Sequence, residues 1–187
     1  MKTQKGFTLI ELIVVLTIVG FLATSAVGMI GTYITNAKLR ANADDLRIGL
    51  QTAKTEAIKR NSQISIKPDT SGGWAGGWNI WIPASYTPTG AADLPLQARS
   101  VPVSNISVAV TDKNGNAVSA VYFTGSGRPS TTITNPPTYP ITFALTPNGQ
   151  SCPTATTTSE YTCLNVVVDS GGQVTTCKPS STGIYGC

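Results

Sequence analysis

The chain divides into three hydropathy regimes. A short polar stretch, Met1–Gly6, carries Lys2 and Lys5. From Phe7 to Ile34 the only charged residue is Glu11, and the 23 residues from Leu12 to Ile34 hold none. A run of that length spans a hydrocarbon core of roughly 30 Å as a helix. The two lysines before it predict a cytoplasmic amino end. Beyond Ile34 the pattern becomes amphipathic. Leu39, Ala43, Leu46, Leu50, Ala53 and Ala57 step alternately by four and three, which is one stripe of a helix. Lys38, Arg40, Asp44, Asp45, Arg47, Lys54, Glu56, Lys59 and Arg60 fall off that stripe. No proline occurs before Pro68, so residues 7–61 are expected to form one helix of roughly 80 Å. Lys59 and Arg60 suit its carboxyl end. The stripe is shorter than three full heptads, which argues against a free coiled coil and for packing on the rest of the chain. Gly20, Gly28, Gly31 and Gly49 each weaken the helix by up to about 1 kcal/mol relative to Ala.

From Ser62 the period changes to two. Gln63–Lys67, Trp78–Ile82, Ile106–Thr111, Ala117–Thr124, Ile141–Leu145 and Leu164–Asp169 alternate as strands between Gly-, Pro-, Ser- and Thr-rich punctuation. Asn114-Gly115 predicts a hairpin between two of them. The fold class expected is α+β: a long amino-terminal helix packed on a β-sandwich-like head over 62–187. In Ser71–Trp81, Trp78, Ile80 and Ile82 share one strand face and Trp81 takes the other. A tryptophan-anchored core is the favoured reading of this segment, and an aromatic binding platform is the alternative.

Composition narrows the chemistry. Charged residues make up 12% of the chain, about half the usual globular share of roughly 25%, which excludes long charged tails. Histidine is absent, so Ser-His-Asp and Cys-His nucleophile arrangements cannot be built, nor can the common His-containing zinc sites. No catalytic residue, metal site or cofactor is assigned. Asp112–Asn116 has a misplaced glycine and no closing Glu for a calcium loop, and reads as a turn. Asp169-Ser170-Gly171-Gly172 also reads as a turn. Cys152, Cys163, Cys177 and Cys187 cluster at the carboxyl end, the pattern of two disulfides in an oxidising compartment. Three connectivities are open, of which the sequential pairs Cys152–Cys163 and Cys177–Cys187 are favoured because both close short loops. A thiolate zinc site is disfavoured by the lack of a close C-x-x-C pair.

The amino terminus differs from a secretory signal, because its apolar run follows the polar leader without a small-residue cleavage site of the usual kind. Gly6-Phe7-Thr8-Leu9-Ile10-Glu11 resembles the class III leader junction of type IV pilins and type II secretion pseudopilins. The resemblance implies a leader over residues 1–6 and a transmembrane segment over 12–34. It further implies cleavage between Gly6 and Phe7 by a prepilin peptidase and N-methylation of Phe7. Glu11 would neutralise the Phe7 amine of a neighbouring subunit during filament assembly. An acid inside an apolar run is costly enough to need such a partner. The Trp74–Trp78 segment, Gly-Trp followed by Gly-Trp, is similar to the head of the GspH/FimT family of minor pilins and pseudopilins. With that family come a type IV pilin-like fold, a bacterial inner-membrane anchor with a periplasmic head, and assembly into a pilus or pseudopilus. The partners implied are other minor and major pilins or pseudopilins, the inner-membrane assembly platform and the lipid bilayer. Major pilins often carry a proline where Gly28 stands, which tilts the reading toward a minor subunit.

Three outputs follow from the resemblance: a minor type IV pilin that initiates or tips a pilus, a minor pseudopilin of type II secretion, and a DNA-binding minor pilin. Some family members bind DNA through arginines around a glycine near the carboxyl end. The matching stretch here, Gly171–Lys178, has none, and from Ser62 onward five basic residues face five acidic ones. DNA is therefore the disfavoured partner, with Arg128 and Lys178 as its candidate contacts. The Ser/Thr-rich segments 130–142 and 154–162 read as surface loops in preference to glycan carriers.

Overall fold

The computed structural model describes residues 6–69, 73–87, 92–100, 105–130, 136–153 and 159–179, without the side chains of 25–29 and 100. Helix α1 runs Leu9–Arg60 over 52 residues, or roughly 78 Å at about 1.5 Å per residue. It starts two residues later than Phe7 because Thr8 is its N-cap, with extended backbone at φ −81° and ψ 152°. It stops at Asn61, which turns left-handed at φ 47° while its N–H returns to the carbonyls of Ala57 and Ile58.

Two antiparallel four-stranded sheets follow. Strands β1 (Ile64–Asp69), β2 (Gly73–Ile82), β3 (Leu94–Ser100) and β5 (Val121–Phe123) form the first, in the order β3-β2-β1-β5. Strands β4 (Ile106–Thr111), β6 (Ile141–Pro147), β7 (Leu164–Val168) and β8 (Val174–Cys177) form the second, in the order β4-β6-β7-β8. Both sheets contribute to one core with the helix. All six residues of the α1 stripe are buried, together with Ile64, Ile66, Trp78, Ile80 and Phe123 from the first sheet and Ile141, Phe143, Leu145, Val166 and Val168 from the second. The alternation on β6 is complete, with every second residue from Ile141 to Pro147 buried.

Gly49 reverses its expected role. A β-carbon there would lie 2.5 Å from Cζ2 of Trp78, so the indole lies directly against the helix backbone. The glycine that lowers helix propensity is the one that admits the tryptophan. Trp74 packs edge-on against Phe143 of the other sheet, with centroids 5.0 Å apart and planes at 85°. Its indole N–H donates to the Val118 carbonyl at 3.2 Å. The core reading holds for these two tryptophans. Trp81 lies on the opposite face and is half-buried.

The strand expectations need correction in four places. Strands β3 and β8 were not expected. The first sheet's β2 begins at Gly73, before Trp78. The run 117–124 is not one strand: Ala117 makes a single bridge to Thr111, and only Val121–Phe123 is extended, paired with β1. Asn114-Gly115 closes a tight turn, with Gly115 at φ 84°, and the expected hairpin is a minimal one: Ala117 bridges Thr111 and the Val118 N–H donates to the Val110 carbonyl at 3.1 Å before the chain crosses to the other sheet.

Substituting Gly49→Ala should destabilise the head by about 1–2 kcal/mol. Overpacking against Trp78 costs about 1–3 kcal/mol and outweighs the gain in helix propensity of up to about 1 kcal/mol. Denaturant unfolding of the full chain in detergent, followed by tryptophan fluorescence, measures this. Unchanged or increased stability would contradict the packing account.

Candidate functional site

The amino-terminal tip carries the densest set of expected site residues. Gly6, Phe7 and Thr8 precede the helix, Phe7 is 91% exposed, and nothing lies within 4 Å of a β-carbon built at Gly6. Glu11 faces back toward Thr8. Its Oε2 accepts from the Thr8 N–H at 2.9 Å and from the Thr8 hydroxyl at 3.1 Å. The Glu11 N–H donates in return to Thr8 Oγ1 at 3.4 Å. This is a reciprocal capping box of the T-x-x-E type. In the single chain, then, Glu11 satisfies its own helix end.

Behind the tip the helix is unaccompanied. Every large apolar side chain from Leu9 to Leu22 is more than half exposed, from 51% to 76%. Counted over the described residues alone, no helix is long and apolar enough to cross a membrane. Residues 1–5 of the expected leader lie outside the described residues.

Among the described hydrogen bonds between α1 and the head, those of Asn36 lie nearest the amino terminus. The Asn36 side-chain amide donates to the Glu160 carbonyl at 3.1 Å, and its Oδ1 accepts from the Thr162 N–H at 2.8 Å. Asn36 thereby fastens the carboxyl-terminal loop closed by Cys152–Cys163, whose Cα atoms are 5.6 Å apart. Cys163 is buried, and Cys177, at the end of β8, is also disulfide-bonded. Cys187 lies outside the described residues, as do parts of the two Ser/Thr-rich segments, 131–135 and 154–158. Nothing in the sequence flagged Asn36, since its partners lie more than 120 residues away. At the other end of the head, the helix terminus is clasped by the loop after β5. Gly127, at φ 75°, approaches the Ile58 side chain so closely that a β-carbon would meet it at 2.7 Å.

The remaining candidates separate. Arg128 and Lys178 are both exposed. Arg128 abuts Gly172 before β8 and Lys178 follows that strand, which puts them on the order of 15–20 Å apart at about 3.3 Å per residue. Asp112 is a turn organiser. Its Oδ1 accepts from the N–H groups of Asn114 and Asn116 at 2.9 and 2.8 Å. Its Oδ2 accepts from the Asn116 amide at 3.2 Å and the Thr138 N–H at 3.3 Å. Desolvation opposes its charge, but these bonds outweigh it and hold the carboxyl below the usual carboxylate range.

Membership follows from a sequence profile. The family described as type II transport protein GspH matches residues 42–181, well over half of the chain. The chain belongs to the GspH family. A second profile, the prokaryotic N-terminal methylation motif, matches residues 1–27, the segment that includes Phe7 and Glu11. The fold of this GspH-family chain is similar to that of the type IV minor pilin FimU of Pseudomonas aeruginosa. That likeness has a TM-score of 0.54 at 20% identity and covers 74% of this chain and 87% of that one. It is also similar to the minor pseudopilin EpsH of the type 2 secretion system of Vibrio cholerae. Here the TM-score is 0.51 at 13% identity, over 75% of this chain and 96% of that one. No curated protein matches the chain by sequence.

Asp112 supplies a pH test. A carboxyl with a depressed folded-state pKa contributes stability that is present above its unfolded value, about 3.9, and is lost as pH falls through the folded one. Asp112→Asn should melt lower than the parent chain at pH 7, and the gap should narrow as pH drops below about 4. Thermal melts across pH 2–7 read it; a gap independent of pH would contradict the account.

Proposed function

We propose that this GspH-family chain is a minor type IV pilin, a structural subunit of the complex that initiates or tips a pilus. The observation that carries this is the division of labour along α1. One half buries a stripe against the head, and the other projects an apolar, exposed surface ending in Phe7 and Glu11. Such a surface is stable only in lipid or against other helices. Residues 1–6 are the leader, cut after Gly6 by a prepilin peptidase that also methylates Phe7. Residues 7–61 are the anchor and assembly helix, spanning the inner membrane over 12–34, and 62–187 are the periplasmic head. Glu11 is held by Thr8 until it meets the Phe7 amine of a neighbour. The partners are pilin-type subunits and the assembly platform.

A second reading, a minor pseudopilin of type II secretion, has the same chemistry and is supported by the description of the matched family. Deleting the gene separates the two: lost twitching with intact secretion supports the pilus, and the reverse supports export. DNA binding is the weakest reading, because Arg128 and Lys178 do not converge.

Glu11→Leu should leave membrane insertion and processing intact while lowering incorporation into sheared filaments at least tenfold. Immunoblots of membrane and sheared fractions, compared with the parent chain, measure both. Normal incorporation would remove Glu11 from the assembly mechanism.

A further inference from the structure

A groove of about 520 Å³ runs between α1 and the turn joining β7 to β8. Arg47, Gln51 and Lys54 form the helix wall; Asp169, Gly172 and Gln173 form the other. Elsewhere along α1, Asp45 pairs with Arg99 and Glu56 with Lys59 and Arg60. Arg47 and Lys54 have no acidic partner among the described residues, and neither does Arg128, whose Cα lies beside Gly172 at the rim. The Lys54 ammonium is half-buried and donates to the Gly172 carbonyl at 2.9 Å, which leaves it two donors. The one carboxylate in the groove is already engaged. Asp169 Oδ1 accepts from the N–H groups of Gly171 and Gln173, each at 2.8 Å.

The geometry points to this groove as the docking site for an acidic segment of a neighbouring filament subunit, with Arg47 and Lys54 each receiving a carboxylate and Gln51 hydrogen-bonding between them. The inference rests on the filament reading above. Arg47 and Lys54 are seven positions apart, roughly 10 Å along the helix. Two carboxylates seven apart on one helix face match that span. Lipid phosphate is out of reach. Arg47 lies 13 residues beyond Ile34, roughly 20 Å past the end of the span, and a charge is screened within about 8 Å at physiological salt. A nucleic acid is a poorer match. Duplex DNA rewards long runs of cations, whereas only Arg47 and Lys54 line this groove among the described residues.

The test is photocrosslinking in cells from the full chain, with the crosslinker at Gln51 and, separately, at Ile13 in the projecting half of α1. The expected result at Gln51 is an adduct on an acidic segment of another pilin-type subunit. Its yield should fall at least fivefold in Arg47→Glu, less in Arg47→Gln, and recover when the captured carboxylate is changed to Lys. Arg47 is exposed and has no acidic partner among the described residues, so the variant should fold; membrane levels and the Ile13 adducts check this. Adducts at Ile13 with silence at Gln51 overturn the groove and spare the filament reading. Silence at both positions overturns both. A Gln51 adduct on nucleic acid, on a segment without acids, or one indifferent to Arg47→Glu also overturns the inference.

Discussion

The structure depends on the burial of one helix stripe. Leu39, Ala43, Leu46, Leu50, Ala53 and Ala57 form the surface on which both sheets close. The two sheets share no strand, so the helix is the element common to both halves of the core. The alternation of Leu with Ala sets how closely they approach. The alanines and Gly49 let backbone and the flat indole of Trp78 come near, while the leucines fill the space between. Without that stripe each sheet would expose its apolar face, and neither is large enough to bury it alone.

The same constraint explains why the head begins where it does. A helix that gives one half to a core cannot give that half to a membrane or a filament, and the changeover needs a marker. Asn36 supplies it. Its amide holds the carboxyl-terminal loop through both its donor and its acceptor, and Leu39 is the first buried stripe residue beyond it. At the far end, the left-handed Asn61 and the close approach of Gly127 stop the helix and turn the chain into β1. Both ends of the docked half are therefore fixed by polar or glycine contacts, and the apolar stripe carries the burial between them.

What was legible follows from range. The stripe, the helix end near Asn61, and strands β4 and β6 rest on local periodicity, which the chain states openly. Strand β3 alternates Leu94, Leu96 and Ala98 with Pro95, Gln97 and Arg99, but a proline within the run reads against a strand and is tolerated here only because β3 is an edge. Strand β8 was missed because Val-Thr-Thr-Cys is short and bears one buried residue, Val174. The 117–124 run misled for a different reason: Asn-Gly specifies a turn and says nothing of which strand receives the chain. The capping box at Thr8 and Glu11 is a local motif, whereas Asn36, Gly49 and the Arg47–Lys54 groove have no local signature. Their partners lie in other elements, with Trp78 29 positions from Gly49 and Gly172 118 from Lys54.

The capping box gives the proposed function a physical order of events. A carboxylate in an apolar run is costly when bare, by about 2.5–3.5 kcal/mol on insertion scales. Thr8 supplies two donors to Glu11, one from the backbone and one from the hydroxyl, and so offsets part of that cost while the subunit is alone. Both donors are neutral. A protonated amine on a neighbour's Phe7 is a charged donor, and charge-assisted bonds are roughly twice as strong. The exchange also gains from low dielectric, because the same pair attracts more strongly in an apolar surrounding than in water. In the proposed function leader cleavage creates that amine, since an intact Gly6–Phe7 peptide offers only an amide. On this reading an uncut subunit lacks the group that Glu11 would exchange its cap for, and the order of processing before assembly follows from the chemistry of one peptide bond.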